Sequence, residues 1–177
     1  AGKTINTLEV RIDSEDPYNQ VGEIQLHGEN VMLGYYKNEQ ATAEALGDDG
    51  WLRTGDLGVI DKDQYIYIKG RSKSMILGPS GQNVYPEEIE ARLNNLVYVQ
   101  ESVVIDRNKK IVALVFPDYA ALEADGIPKD QIQSKMEAYR REMNAILPNY
   151  MGITKIEVVE QEFEKTPKKS IKKFLYH

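Results

Sequence analysis

The stretch "YIKGRSKSMILGPSGQNVYPEEIE", residues 67–90, decides how the chain divides. It reads as the end of a strand, a charged turn, a short apolar run, a Gly-Pro-Ser-Gly loop and the start of a helix. Before Gly70 the pattern is mostly β. Thr7 to Asp13 alternates Leu8, Val10 and Ile12 with polar neighbours, the period of a half-buried strand. "GEIQLHG" (22–28) reads as a second strand, "NEQATAEALG" (38–47) as a short helix stopped at Gly47, and "DDGWLRTGDLG" (48–58) as a loop. "VIDKDQYIYIKG" (59–70) reads as a hairpin about Asp61–Asp63, with Tyr65, Tyr67 and Lys69 on one face and Ile66 and Ile68 on the other.

After Gly70 helices enter. "PEEIEARLNNL" (86–96) carries Pro86 at the first helical position, Glu87 and Glu88 at the positive end of the dipole, and an apolar stripe of Ile89, Leu93 and Leu96. "ESVVIDR" and "KIVALVFPD" read as strands about an Asn108-Lys109 turn, and "YAALEADG" as a short helix ended by Gly126. The longest helix is expected over "PKDQIQSKMEAYRREMNAIL" (128–147), with Ile132, Met136, Tyr139, Met143, Ile146 and Leu147 buried and Pro148 as its stop. "KIEVVEQ" is a last strand, and "SIKKFLYH" a terminal helical turn. The fold class is α+β: a β-rich unit over 1–72, then a small α+β unit over 73–177, a three-stranded sheet with flanking helices.

Net charge is −6, unevenly spread. Lysines 165, 168, 169, 172 and 173 sit in a tail without an acid, behind an acidic body. That balance does not suit a general nucleic-acid binder, and a solvated lysine-rich terminus accounts for the tail on charge alone. The chain holds no cysteine, which excludes disulfide and thiolate chemistry and fits a reducing cytosol. His27 and His177 lack the spacing of a metal site, and no phosphate-cradling glycine loop or nucleophile elbow is present.

Four short segments have chemical potential. In "GWLRTGDLG", Asp56 beside Gly55 presents a carboxylate able to accept from a ribose diol, although Thr-Gly-Asp is also a common turn. Arg71 in "GRSK" has a forked donor suited to ribose or phosphate, and one hairpin separates it from Asp56, so one rim can hold both. In "GPSGQN", Gly78 and Gly81 allow backbone angles that other residues avoid, and a slender ligand can approach closely. In "EKTPKKSIKK", Thr166-Pro167 sets a turn that presents lysines able to stabilise developing negative charge; the bland reading is a disordered tail.

In order, "GEIQLHGENVMLGYYKNEQATAEAL", "DGWLRTGDLG", "GRSKSMILGPSGQNVYPEEIE" and "EKTPKKSIKK" resemble the C-terminal third of the adenylate-forming superfamily, over nearly the whole chain. The tail looks most like that of long-chain fatty-acid–CoA ligases. The resemblance implies ATP and Mg2+ as needs of the intact enzyme. A carboxylate attacks the α-phosphate of ATP to give an acyl-adenylate, and coenzyme A then displaces AMP. A large N-terminal domain and a small mobile C-terminal domain share the site. By motif position Asp56 and Arg71 hold the nucleotide ribose, Lys73 is the hinge, and Gly81 lines the coenzyme A path.

Two departures stand out. The lysine of the family's last motif aligns with Ser170, so a neighbour, Lys169 first and Lys168, Lys172 or Lys173 after it, takes its place or adenylation is weakened. The phosphate loop and acyl-pocket segments of the upstream half are absent, so 1–72 reads as the last β subdomain of the large domain. The chain is expected to be a fragment of a fatty acid–CoA ligase, inactive alone, its partners being the missing domain and its small-molecule substrates. Rival readings are a non-catalytic module docking an anionic membrane or partner through its tail, and a ligase for another carboxylic acid.

Overall fold

The computed structural model describes residues 2–78 and 81–176. Pro79 and Ser80 of the expected glycine loop, and His177 of the expected terminal turn, lie outside the described residues. The chain forms two compact units, Ala1–Ser74 and Met75–His177.

The first unit is a five-stranded antiparallel sheet in the order β1-β5-β4-β3-β2, built from β1 (Gly2–Lys3), β2 (Leu8–Asp13), β3 (Gly22–Gly28), β4 (Leu52–Ile60) and β5 (Tyr65–Arg71). Its small core is Ile12, Ile24, Ile60 and Ile66, with Val10 and Leu26 against it. Alternation in β2 and β3 puts these side chains on one face. Ile68 departs from that expectation: it pairs with Gly58, which offers no side chain to pack on, and stays 54% exposed. Helix α1 (Glu39–Ala45) is capped by Asn38, whose side chain accepts from the Ala41 N–H. It stops at Leu46, which turns extended and bridges to Leu52, one residue before the expected Gly47.

The second unit sets three helices on one face of a sheet ordered β10-β9-β8, beside a two-stranded ribbon of β6 (Ile76–Leu77) and β7 (Asn83–Val84). Strands β8 (Val99–Asp106) and β9 (Ile111–Pro117) are antiparallel, and β9 runs parallel to β10 (Ile153–Val158). Every residue of β9 is buried, as a central strand covered on both faces requires. One face carries Ile111, Ala113 and Val115 against α2 (Pro86–Leu93), α3 (Tyr119–Ala124) and α4 (Lys129–Ile146). Ile132, Met136 and Met143 of α4 are buried as expected, and Leu147 beyond it. Ile146 is 59% exposed instead, because the helix ends there and Leu147, in extended backbone, takes the covered place.

The other face carries Val103, Ile105, Val112, Leu114 and Phe116, and the tail covers it. Phe163 is 3% exposed, and Ile171 and Tyr176 pack beside it. Burying one phenylalanine contributes about 2–3 kcal/mol, so the tail is part of this unit's core and not a loose terminus.

The β8–β9 turn is a two-residue loop with both Asn108 (φ 56°) and Lys109 (φ 60°) left-handed, closed by the Arg107 and Lys110 backbone bonds at 2.9 and 3.2 Å. Asparagine tolerates this geometry, and lysine adopts it only at a cost in strain. Lys109→Gly is therefore expected to raise stability by about 1 kcal/mol in urea melts, with no change in the slope.

Candidate functional site

Segment "GWLRTGDLG", expected as a loop, is mostly strand: β4 begins at Leu52 and contains Asp56. The alternation is masked by a bulge. Gly55 sits at φ +72°, and pairing slips between Glu23 and Gln25 on β3 and between Leu57 and Gly58 on β4. Three bonds hold the bulge. The Gly55 N–H donates to Glu23 Oε1 at 2.9 Å, the Thr54 hydroxyl donates to the Ile24 carbonyl at 2.7 Å, and the Asp56 N–H donates to Thr54 Oγ1 at 3.0 Å.

The bulge aims Asp56 at its cross-strand partner Arg71, whose Nε lies 2.7 Å from Asp56 Oδ1. Arg71 also donates through a terminal nitrogen to the Thr54 carbonyl at 3.4 Å. The two side chains are 30% and 62% exposed. One carboxylate oxygen is thus oriented by the guanidinium, while its neighbour remains available to a ligand hydroxyl. That donor set fits a ribose diol.

Lys73 lies in a 3₁₀ turn, Ser72–Ser74, and the chain passes to the second unit between Ser74 and Met75. Lys73 and Arg71 line a cleft of about 560 Å³ in the first unit, with Glu23, Glu44, Arg53 and Gly55 around it. In the second unit, Gly81 has φ +79° and donates its N–H to the Gly78 carbonyl at 2.9 Å. A Cβ there would meet nothing within 4 Å among the described residues, so backbone angle and not crowding demands glycine in this conformation.

The lysine-rich tail is folded. Lys165 and Ile171 bridge antiparallel around a loop in which Lys169 donates its N–H to the Thr166 carbonyl at 2.8 Å, and Thr166 donates to the Ser170 carbonyl at 2.8 Å. Lys169 takes the left-handed position (φ 62°) of a three-residue hairpin loop. Lys165 Nζ is 2.7 Å from Glu101 on β8 and 3.5 Å from Glu162, and the hydrogen bond to Glu101 holds its ammonium above the usual lysine range. Lys172 pairs with Glu164 at 3.1 Å. Lys173 lies 2.6 Å from Glu90 and 3.1 Å from Glu87 on α2. Among the described tail residues, Lys168 and Lys169 make no ion pair, and with Ser170 they form the exposed tip.

Sequence reasoning missed Glu90. It is 7% exposed, accepts the buried Val104 N–H at 2.9 Å with one oxygen and Lys173 with the other. Burial pushes its carboxyl above the usual range, against the downward pull of Lys173 and of the Val104 N–H. The available signal is the spacing Pro86, Ile89, Glu90, Leu93, which puts the glutamate inside the apolar stripe of α2. Among the described residues no group of three or more His, Asp or Glu is placed to hold a metal, and no helix is long and apolar enough to cross a membrane.

The chain thus carries an oriented carboxylate–guanidinium pair at a strand bulge and a folded basic loop on a small α+β unit. Residues 73–175 match the family model described as the AMP-binding enzyme C-terminal domain, and the chain belongs to that family. It is 37% identical over 155 residues to a protein of Arabidopsis thaliana named probable acyl-activating enzyme 10, spanning 88% of this chain and 28% of the relative. It is 33% identical over 126 residues to a long-chain-fatty-acid–CoA ligase of Bos taurus, covering 71% of this chain and 17% of that one. Among solved structures, O-succinylbenzoate coenzyme A synthetase from Bacillus subtilis, in complex with AMP, superposes with a TM-score of 0.77 at 26% identity, over 99% of this chain and 34% of that chain. The chain therefore spans about a third or less of the length of these relatives.

Proposed function

We propose that this chain is the C-terminal portion of an ATP- and Mg2+-dependent acid–CoA ligase whose acid is a long-chain fatty acid. The observation that carries the reading is the Asp56–Arg71 pair, a donor and acceptor set that fits a ribose and sits at a strand bulge. In this reading Asp56 accepts from the ribose hydroxyls, and Arg71 holds the carboxylate and donates to the nucleotide. Lys73, next to the boundary between the units, takes up the backbone change as the small unit turns between half-reactions. Lys169, at the free tip of the tail loop, meets the negative charge on the reacting carboxylate and phosphate. Gly81 leaves room for the pantetheine arm. ATP supplies the activating adenylyl group; no residue of this chain is assigned to Mg2+, which would arrive with the triphosphate.

The acid rests on less. The tail resembles that of long-chain ligases and the bovine relative bears that name, while the bacterial synthetase names a different acid. The acyl pocket would lie upstream, outside this chain.

A tail that docks on an anionic membrane is a weaker reading. Lys165, Lys172 and Lys173 are engaged by carboxylates, which leaves Lys168 and Lys169. At about 1 kcal/mol per lysine near such a surface, two do not hold a 177-residue chain there.

The chain alone, mixed with ATP, Mg2+, a long-chain fatty acid and coenzyme A, is expected to release no AMP above background, and the intact protein to release it readily. Turnover by the chain alone rejects the fragment. An intact protein that turns over short or aromatic acids but not the fatty acid changes the acid and keeps the ligase. No AMP from the intact protein with any carboxylic acid rejects the ligase.

A further inference from the structure

The tail loop hangs between two lysines that both reach into the body of the second unit. Lys165, at one stem, meets Glu101 on β8 at 2.7 Å. Lys173, just past the other stem, meets Glu90 and Glu87 on α2 at 2.6 and 3.1 Å. These carboxylates are not ordinary surface partners. Glu90 is buried and spends its other oxygen on the Val104 N–H. Glu87 Oε2 and Glu101 Oε2 are buried with no hydrogen-bond partner among the described residues. Glu90, so placed, is costly to ionise unless a cation is fixed beside it, and Lys173 is that cation; at the other stem Lys165 meets the half-buried Glu101. The loop they flank, Thr166–Ser170, closes with two short backbone bonds and has a non-glycine residue in the left-handed region, a conformation that surrounding contacts must hold.

We propose that Lys165 and Lys173 are positioning residues: by tying the two stems to the half-buried Glu101 of β8 and the buried Glu90 of α2, they hold the Thr166–Ser170 loop preformed, with Lys168 and Lys169 as its free cations. The proposal rests on the adenylation reading only for what the tip does; the tether itself is independent of it. It also divides the lysine-rich motif by role. Two lysines anchor, Lys172 braces Glu164 beside the stem, and two are left to meet a ligand. The competing account is that Phe163, Ile171 and Tyr176 hold the tail by apolar packing alone and the ion pairs merely accompany it.

Backbone 15N order parameters of the 177-residue chain separate the two, because they report the folded molecule whatever its global stability. In the parent sequence the amides of Lys168, Lys169 and Ser170 are expected near the rigid value of about 0.85. In Lys165→Met/Lys173→Met, which keeps the aliphatic stems and removes both charges, they fall below about 0.6 while β8 and β9 stay rigid. Lys173→Arg restores them in part. If the double variant does not fold, Glu90→Gln/Lys173→Met keeps the acceptor for Val104 without leaving a lone buried charge, and the same drop is expected. Loop amides that stay rigid in the variants overturn the tether and leave the ligase reading untouched. A parent protein that forms no adenylate overturns the ligase reading and leaves the tether untouched.

Discussion

If the proposed ribose contact holds, Asp56→Ala in the intact protein is expected to lower kcat/KM for ATP by about a hundredfold, mostly through KM. Charge-assisted hydrogen bonds are worth about 1.5–3 kcal/mol each, and a carboxylate that accepts from two ribose hydroxyls accounts for two factors of ten. The loss is larger than a missing contact alone, because the variant strands the Arg71 guanidinium that Asp56 had oriented at 2.7 Å. Asp56→Asn keeps one acceptor of the right shape and is expected to lose about tenfold. Arg71→Lys keeps the charge but not the planar group that reaches Asp56 through Nε and the Thr54 carbonyl through a terminal nitrogen, and is expected to fall between the two. Folding is the control. Both side chains are partly exposed, and an exposed pair contributes at most about 1 kcal/mol to stability, so urea midpoints should barely move. An ATP KM within twofold of the parent in Asp56→Ala removes Asp56 from the ribose.

Hairpin spacing was enough to bring Asp56 and Arg71 together in the sequence, because consecutive strands pair and side chains at matched positions face one another. The strand that carries Asp56 was not legible. The bulge at Gly55 breaks the period of two, and what fixes the bulge is Glu23, 32 residues earlier. The apolar stripe of α4 was legible up to Met143, since periodicity reports a face as long as the helix continues; it does not say where the helix ends, and at Ile146 the chain turns extended so that Leu147 is buried instead. The tail was the least legible. Five lysines in thirteen residues look alike in sequence, and what separates them is the acidic partner of each: Glu101 for Lys165, Glu90 for Lys173, 83 positions away. Only a fold that lays the tail across β8, β9 and α2 assigns those partners.

The second large effect follows from that assignment. Lys173→Met is expected to cost about 3 kcal/mol of stability at pH 8, because it leaves the Glu90 carboxylate buried without its cation. The cost depends on pH, and its sign is the reverse of an ordinary surface carboxylate. Burial already raises the Glu90 pKa in the folded state above its unfolded value. Between the two values the folded chain binds more protons than the unfolded chain, so stability falls as pH rises. The favourable contribution is complete below the unfolded value and disappears as pH climbs through the folded one. Lys173 opposes the shift by attraction and by its hydrogen bond; without it the folded value climbs further and the pH-sensitive window widens upward. At pH 5, closer to the unfolded value, more of the Glu90 in the variant is protonated and the deficit is expected to shrink. Adding Glu90→Gln removes the charge, keeps the acceptor for the Val104 N–H, and flattens the profile. Urea melts of the three proteins at pH 5 and pH 8 decide the matter. A Lys173→Met deficit that is the same at both pH values would mean that the lysine stabilises the tail through its aliphatic stem, with Glu90 neutral or satisfied by other groups.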